Sequence, residues 1–173
     1  MTRHQKRATA IHEAGHAVIG RVLGLVCGPV TVTADHESAG HSIIADPWDT
    51  ISAWNDALQA QVECGACPVK YYNPRAAFRG TIVARMAGAE AEVILLGRCQ
   101  GGDGRDRREI ELLAASSDSE CSGDEWDRYE PRMRRQARRL IRKHRATIER
   151  VAAELLKRRT LTKDEADALV PRR

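Results

Sequence analysis

Ala8-Thr9-Ala10-Ile11-His12-Glu13-Ala14-Gly15-His16-Ala17-Val18-Ile19-Gly20-Arg21-Val22-Leu23-Gly24-Leu25 is the most informative stretch of the chain. Its apolar residues Ile11, Ala14, Val18, Ile19, Val22 and Leu25 recur at helical spacing, which predicts a helix with one apolar face. On such a helix His12-Glu13-Ala14-Gly15-His16 sets two imidazoles one turn apart on the same side. They are near enough to share a tetrahedral metal ion, with Glu13 beside them. Zinc held in this way acidifies water and polarises a carbonyl, while a glutamate so placed takes a proton and returns it to the leaving amine. The pattern therefore predicts a zinc ion on His12 and His16, with Glu13 as general base and acid.

A zinc site of this kind needs a third protein ligand and an open position for water. The extended HExxHxxGxxH pattern does not supply it, because Ile19 stands at its glycine and Val22 at its third histidine. The third ligand must come from elsewhere, and the residues alone leave His36, His41, Glu90, Glu92, Asp103, Asp106 and Glu109 as candidates. Asp106 follows the glycine-rich stretch Gln100-Gly101-Gly102-Asp103-Gly104 and begins a helical pattern, so flexible backbone precedes it to aim its carboxylate.

Beyond the first helix, Gly24, Gly28 and Pro29 end the helical pattern, and Pro29-Val30-Thr31-Val32-Thr33 is rich in β-branched residues. Gly40-His41-Ser42-Ile43-Ile44 suits a partner strand, giving a two-stranded ribbon that a helical layer must cover. Helices are predicted from Ile51 to Glu63, from Arg75 to Leu96 with Gly97 as its stop, and from Asp106 to Ala115. From Pro131, placed in a first helical turn, a strongly basic sequence keeps Met133, Ala137, Leu140, Ile141, Ile148, Val151, Leu155 and Leu156 at helical spacing. Thr162-Lys163-Asp164-Glu165 matches a capping box and opens a short last helix through Leu169. The expected fold is mainly α: a helical array with a small two-stranded ribbon and the HExxH helix near the N-terminus.

With 173 residues the chain suits one domain. Within it, the zinc helix, ribbon and aspartate segment cover about 8–117 and a C-terminal helical part about 124–170. The five cysteines are too irregular for a disulfide framework, which favours a reducing, cytoplasmic setting. Polar residues break the apolar segment near the N-terminus, so neither an export signal nor a membrane span is expected. Cys64-Gly65-Ala66-Cys67 lacks the second pair that a structural zinc site requires, and is read as two incidental thiols. The net charge of +4 and aromatic content of 4% come with no nucleic-acid motif, and no nucleic-acid partner is expected.

Ala10-Ile11-His12-Glu13-Ala14-Gly15-His16-Ala17-Val18 resembles the zinc helix of the FtsH-type peptidases, the proteolytic domain of membrane-bound AAA proteases. Further segments agree in the same order. Ala87-Gly88-Ala89-Glu90-Ala91-Glu92-Val93-Ile94-Leu95-Leu96-Gly97 resembles the family's helix with an Ala-Glu-Glu motif. Gly101-Gly102-Asp103-Gly104-Arg105-Asp106 resembles the segment carrying its third zinc ligand, and Ala137 through Leu169 resembles its C-terminal helices. The resemblance implies Asp106 as third ligand and Glu92 as an acceptor that orients a zinc histidine. It also implies substrate added as a strand near the metal, where Gly40-His41-Ser42-Ile43-Ile44 stands.

Asp103 and Arg107 replace small and apolar residues of the family's aspartate segment. No GxxxxGK[ST] phosphate loop occurs, so ATP-driven unfolding by this chain itself is not expected. The function expected is zinc-dependent endopeptidase activity on unfolded proteins or peptides, with a separate ATPase or self-association as further partners. The alternative is a non-catalytic regulatory or binding module that keeps the fold, and an intact Glu13 favours the enzyme.

Overall fold

The computed structural model describes residues 2–34, 39–64, 74–101, 103–116 and 125–170. In chain order they form α1 (Arg3–Val22), β1 (Cys27–Thr31), β2 (His41–Ile44), α2 (Pro47–Glu63), α3 (Pro74–Leu96), α4 (Gly104–Ala115), α5 (Trp126–Lys143), α6 (Arg145–Arg158), β3 (Thr160–Leu161) and α7 (Lys163–Leu169). The architecture is the mainly helical one expected. No helix among the described residues is long and apolar enough to cross a membrane.

Thr2 opens α1 with a reciprocal cap: its hydroxyl accepts the Gln5 N–H at 3.2 Å, and Gln5 Oε1 accepts the Thr2 N–H at 2.7 Å. The sequence pattern predicts one buried face, yet every residue from Ala10 to Gly20 is buried. The reason is that α3, α6 and the sheet all pack around this helix. Small residues make that enclosure feasible. A Cβ on Gly15 would lie 2.6 Å from the Ala87 carbonyl oxygen and 3.0 Å from the Ala91 methyl. The backbone then turns out of the helix at Gly24, in the left-handed region with φ 75°.

The sheet has three strands in the order β2-β1-β3, one more than expected. β1 starts at Cys27 rather than Pro29 and pairs antiparallel with β2 through Cys27–Ile44, Val30–Ser42 and Thr31–His41, with an irregularity between Cys27 and Val30. Its other edge pairs Val30 with Leu161 and Thr31 with Thr160. A two-residue strand is too short to show alternation, which is why β3 leaves no signal in the sequence. Arg159 makes the turn into it with φ 67° and presents its carbonyl oxygen to the Val32 N–H at 2.8 Å.

α2 begins at Pro47, ahead of the expected Ile51, because Asp46 accepts the Trp48 N–H at 2.8 Å and Pro47 suits a first turn. α3 stops at Gly97, φ 84°, as expected. α4 starts two residues before Asp106, so that the carboxylate sits in its first turn. The basic C-terminal region is two helices broken at His144. Pro131 is not in the first turn: α5 starts at Trp126 and carries Pro131 inside it, unable to donate to the carbonyl four residues back. Packing of Met133, Ala137, Leu140 and Ile141 into the core outweighs that lost bond. Thr162 and Glu165 form the expected capping box of α7. One apolar cluster links α1, the sheet, α3 and α5 through α7, with Ile19, Ile82, Met86, Ile141, Ile148, Leu155 and Leu161 fully enclosed.

The α1–α3 approach at Gly15 has a direct test. Gly15→Ala forces two backbones apart and is expected to lower the thermal midpoint, at a cost of about 1–3 kcal/mol. Circular dichroism melts of the two proteins measure it, and an unchanged midpoint would contradict the contact.

Candidate metal centre

His12 and His16 face the same direction from the buried middle of α1, and the first turn of α4 brings Asp106 over them. Asp106 Oδ2 lies 3.0 Å from His12 Nε2 and 3.1 Å from His16 Nε2. The ligating atoms of all three residues fall within 4.8 Å of one another. Donors on a tetrahedral ion with bonds near 2 Å stand about 3.3 Å apart, so this spacing fits one small divalent cation.

The other ring nitrogens are committed. His12 Nδ1 donates to Glu92 Oε1 at 2.7 Å and His16 Nδ1 donates to the Ala84 carbonyl oxygen at 2.8 Å. Each bond leaves Nε2 as the metal-facing nitrogen and fixes the ring plane. Glu92 is in turn held by the Gln100 N–H, which it accepts at 2.7 Å. Space for an ion is also secured by composition: a Cβ on Gly88 would stand 2.4 Å from His16 Nε2 and 2.6 Å from His12 Nε2. Only glycine there lets α3 pass behind the imidazoles.

Burial disfavours a charged His12, but its bonds to Asp106 and Glu92 outweigh that and push its pKa up to about 10. Burial likewise disfavours an ionised Asp106, and the two imidazoles more than compensate, holding its carboxyl well below the usual range. Glu13 shifts the other way. Its burial raises its pKa and dominates over the attraction of His16 and His12.

Two adjoining clefts, of about 890 and 390 Å³, open at this group and share His12, Glu13, Gly40 and Arg105 in their walls. β2 forms a wall of the smaller cleft through His41, Ser42, Ile43 and Ile44. Ser42 Oγ and Arg85 Nε are both buried without a hydrogen-bond partner among the described residues, and both residues line this cleft.

No protein-family model matches the chain, and no curated protein matches it. The arrangement of its own residues is therefore what speaks to function.

Of the residues singled out from the sequence, His12, His16 and Asp106 converge, Glu13 adjoins them in the cleft wall, and Glu92 orients His12. The remaining third-ligand candidates are otherwise engaged or elsewhere. Glu90 binds Arg134 at 3.1 Å and Arg138 at 2.6 Å, Asp103 pairs with Arg107 at 2.7 Å, and Glu109 holds Arg85 at 2.7 Å. His41 lines the smaller cleft outside the converging group. His36 and Cys67 lie outside the described residues, and Cys64 is exposed at the end of α2.

Arg85 escaped the sequence reading. It ties α3 to α4 through Glu109 and stands 3.9 Å from Asp106 Oδ1, on the side of the carboxylate away from the histidines. The available signal was a lone cation in the apolar run Thr81-Ile82-Val83-Ala84-Arg85-Met86-Ala87.

The proton on His12 gives a pH dependence with a defined sign. Its raised pKa stabilises the metal-free protein fully below 6.5, and that contribution is lost as pH climbs through about 10. The lowered pKa of Asp106 gives a contribution fully present above 3.8 and lost as pH falls towards its depressed folded value. A divalent ion must displace the His12 proton, so affinity is expected to rise by up to about tenfold per pH unit above neutrality. Calorimetric titration of zinc into the metal-free protein at several pH values, in buffers of different ionisation enthalpy, measures both the slope and the proton released. A pH-independent affinity without proton release would refute the assignment.

Proposed function

We propose that this chain is a zinc-dependent metalloendopeptidase acting on unfolded proteins or peptides. The observation that carries the reading is Glu13. It is a buried carboxylate whose pKa is raised by that burial, and it shares a cleft wall with two histidines and an aspartate spaced to hold one ion. His12, His16 and Asp106 would hold zinc, which supplies Lewis acidity to water and to the scissile carbonyl when bound.

The protein's own residues account for the rest of the chemistry. Glu13, short of solvation as a carboxylate, accepts a proton from the attacking water and delivers it to the departing amine. Glu92 and the Ala84 carbonyl keep both imidazoles in the tautomer that leaves Nε2 free for the ion. Arg85 restrains the far oxygen of Asp106, leaving Oδ2 facing the histidines. β2 is the outer strand of the sheet, and among the described residues no strand pairs with its outer edge. A substrate main chain laid there would receive strand hydrogen bonds within the cleft that Glu13 lines, an arrangement that reads backbone rather than sequence.

Glu13→Gln separates binding from catalysis. Both it and the wild type are expected to retain about one zinc per chain by metal analysis. Cleavage of casein by the variant should fall by at least about 100-fold. Equal cleavage by both proteins, or zinc in neither, would overturn the reading.

Asp106→Asn is expected to lower zinc occupancy more than Asp103→Asn, because Asp103 only pairs with Arg107 on the α4 surface. Equal occupancy in the two variants would remove Asp106 from the site.

A further inference from the structure

We infer that the cleft at the metal group selects peptides that carry an aspartate or glutamate side chain within about three residues of the scissile bond. This preference rests on the peptidase activity proposed above, which places the scissile bond over Glu13.

The charges in the cleft walls are sorted by sign. Arg85 lines the smaller cleft, Arg108 the larger one, and Arg105 both. The wall carboxylates are Glu13, Glu92 and Asp106, and all belong to the site itself: Glu92 holds His12, Asp106 faces the two histidines, and Glu13 adjoins them. Apart from these groups and His41, every described residue in either wall is uncharged. The charges left over for a substrate are therefore cationic.

Their placement along α4 gives the cleft a direction. Arg105 precedes Asp106 in the chain and belongs to both walls, so it stands where the two clefts adjoin, beside the metal group. Arg108 follows one turn later on the same side of the helix, about 4.5 Å further along its axis. From the metal group outward, the larger cleft presents one guanidinium and then another.

Little within the chain neutralises them. Glu109 lies 2.7 Å from Arg85 and 3.1 Å from Arg105, so a single carboxylate serves two cations. Asp103 is taken by Arg107. Arg108 is exposed and forms no ion pair with a described residue, and Glu111, the acid three residues beyond it, lines neither cleft.

Guanidinium N–H groups form a planar fork that matches a carboxylate, and a carboxylate entering this cleft meets two such forks in succession. A lysine or arginine side chain in the same space meets like charge instead. An extended substrate advances about 3.3 Å per residue, so Arg105 and Arg108 reach side chains one to about three positions from the bond above Glu13. A free C-terminal carboxylate offers the same chemistry, and capped peptides separate the two sources.

Fluorogenic peptides capped at both ends, identical except for glutamate, glutamine or lysine at the nearest few positions on either side of the cleaved bond, test this on the zinc-loaded full chain. At one or more of these positions kcat/KM should be about 5–10-fold higher with glutamate than with glutamine, and lowest with lysine, the difference lying mainly in KM. The preference should shrink in about 0.5 M salt, because both arginines are exposed. Arg108→Gln should bring the ratio towards one, and Arg108→Glu should turn it towards lysine, a reversal that a merely structural role for this arginine does not produce. Metal analysis checks that both variants keep their site.

Binding separates this preference from the peptidase reading. The same peptides, labelled and titrated by fluorescence anisotropy into zinc-loaded Glu13→Gln, need not be cleaved to report it. Glutamate peptides that bind about 5–10-fold more tightly than glutamine ones, beside a wild type that cleaves nothing, would support the acidic preference and sink the peptidase reading. Cleavage at equal rates with glutamate, glutamine and lysine would overturn the preference and leave the peptidase reading standing. So would a preference that Arg108→Glu leaves unchanged, or one that appears only with an uncapped C-terminus.

Discussion

The close approach of α1 and α3 is the constraint on which everything else rests. Two glycines enforce it from opposite sides: Gly15 on α1 admits the Ala87 carbonyl, and Gly88 on α3 admits the two imidazoles. A residue with any side chain at either place fills the space that the neighbouring helix or the ring nitrogens occupy. The same approach puts the Ala84 carbonyl within reach of His16 and Glu92 within reach of His12. Apolar packing and site geometry are therefore not separable here, since the contact that buries Ile82, Ala84 and Met86 also aims the histidines.

Burying this many charged groups is costly unless each is paired, and the pairing is organised by helix. α3 carries three charged anchors, Glu90 and Glu92 buried and Arg85 partly buried. Arg85 reaches α4 through Glu109, Glu90 reaches α5 through Arg134 and Arg138, and Glu92 reaches α1 through His12. Each fixes α3 to a different neighbour, so the register of the helical array is set by charge as well as by shape. At the site itself, the hydrogen bonds to Asp106 and Glu92 favour the protonated form of His12. The same group of residues could hold a divalent ion, which would take the place of the His12–Asp106 and His16–Asp106 hydrogen bonds.

Much of this was legible from local pattern. The helical setting of His12, Glu13 and His16, the stop at Gly97 and the capping box at Thr162 are short-range features written by spacing and by turn chemistry. Asp106 was one of several acids open to the third position on residues alone, and choosing it needed the resemblance, because the 90-residue separation from His16 is closed only by tertiary packing. The early start of α2 was signalled by Asp46-Pro47, a cap followed by a first-turn proline that the apolar count passed over. β3 and Arg85 are of another kind. Two residues cannot display a strand period, and the partners of one arginine depend on how α4 lies across α3.

β3 also explains why the C-terminal helices bear on a cleft they do not line. Among the described residues β2, the cleft wall, pairs with one strand, β1. β1 is steadied on its other edge by Thr160 and Leu161, with the Thr31 and Thr160 hydroxyls 2.7 Å apart. The segment around β3 is clamped in turn. Arg158 binds Glu165 across the turn, and Arg21 of α1 reaches Asp167 of α7 at 2.7 Å and the Gly28 carbonyl oxygen at 2.9 Å. Arg21 thus joins the helix that carries His12 and His16 to both the strand and the last helix. A strand pair as short as β1 with β2 is marginal by itself. Its position beside Glu13 depends on a closure made by residues about 130 positions later in the chain, which makes the C-terminal helices part of the site's support rather than an appendage.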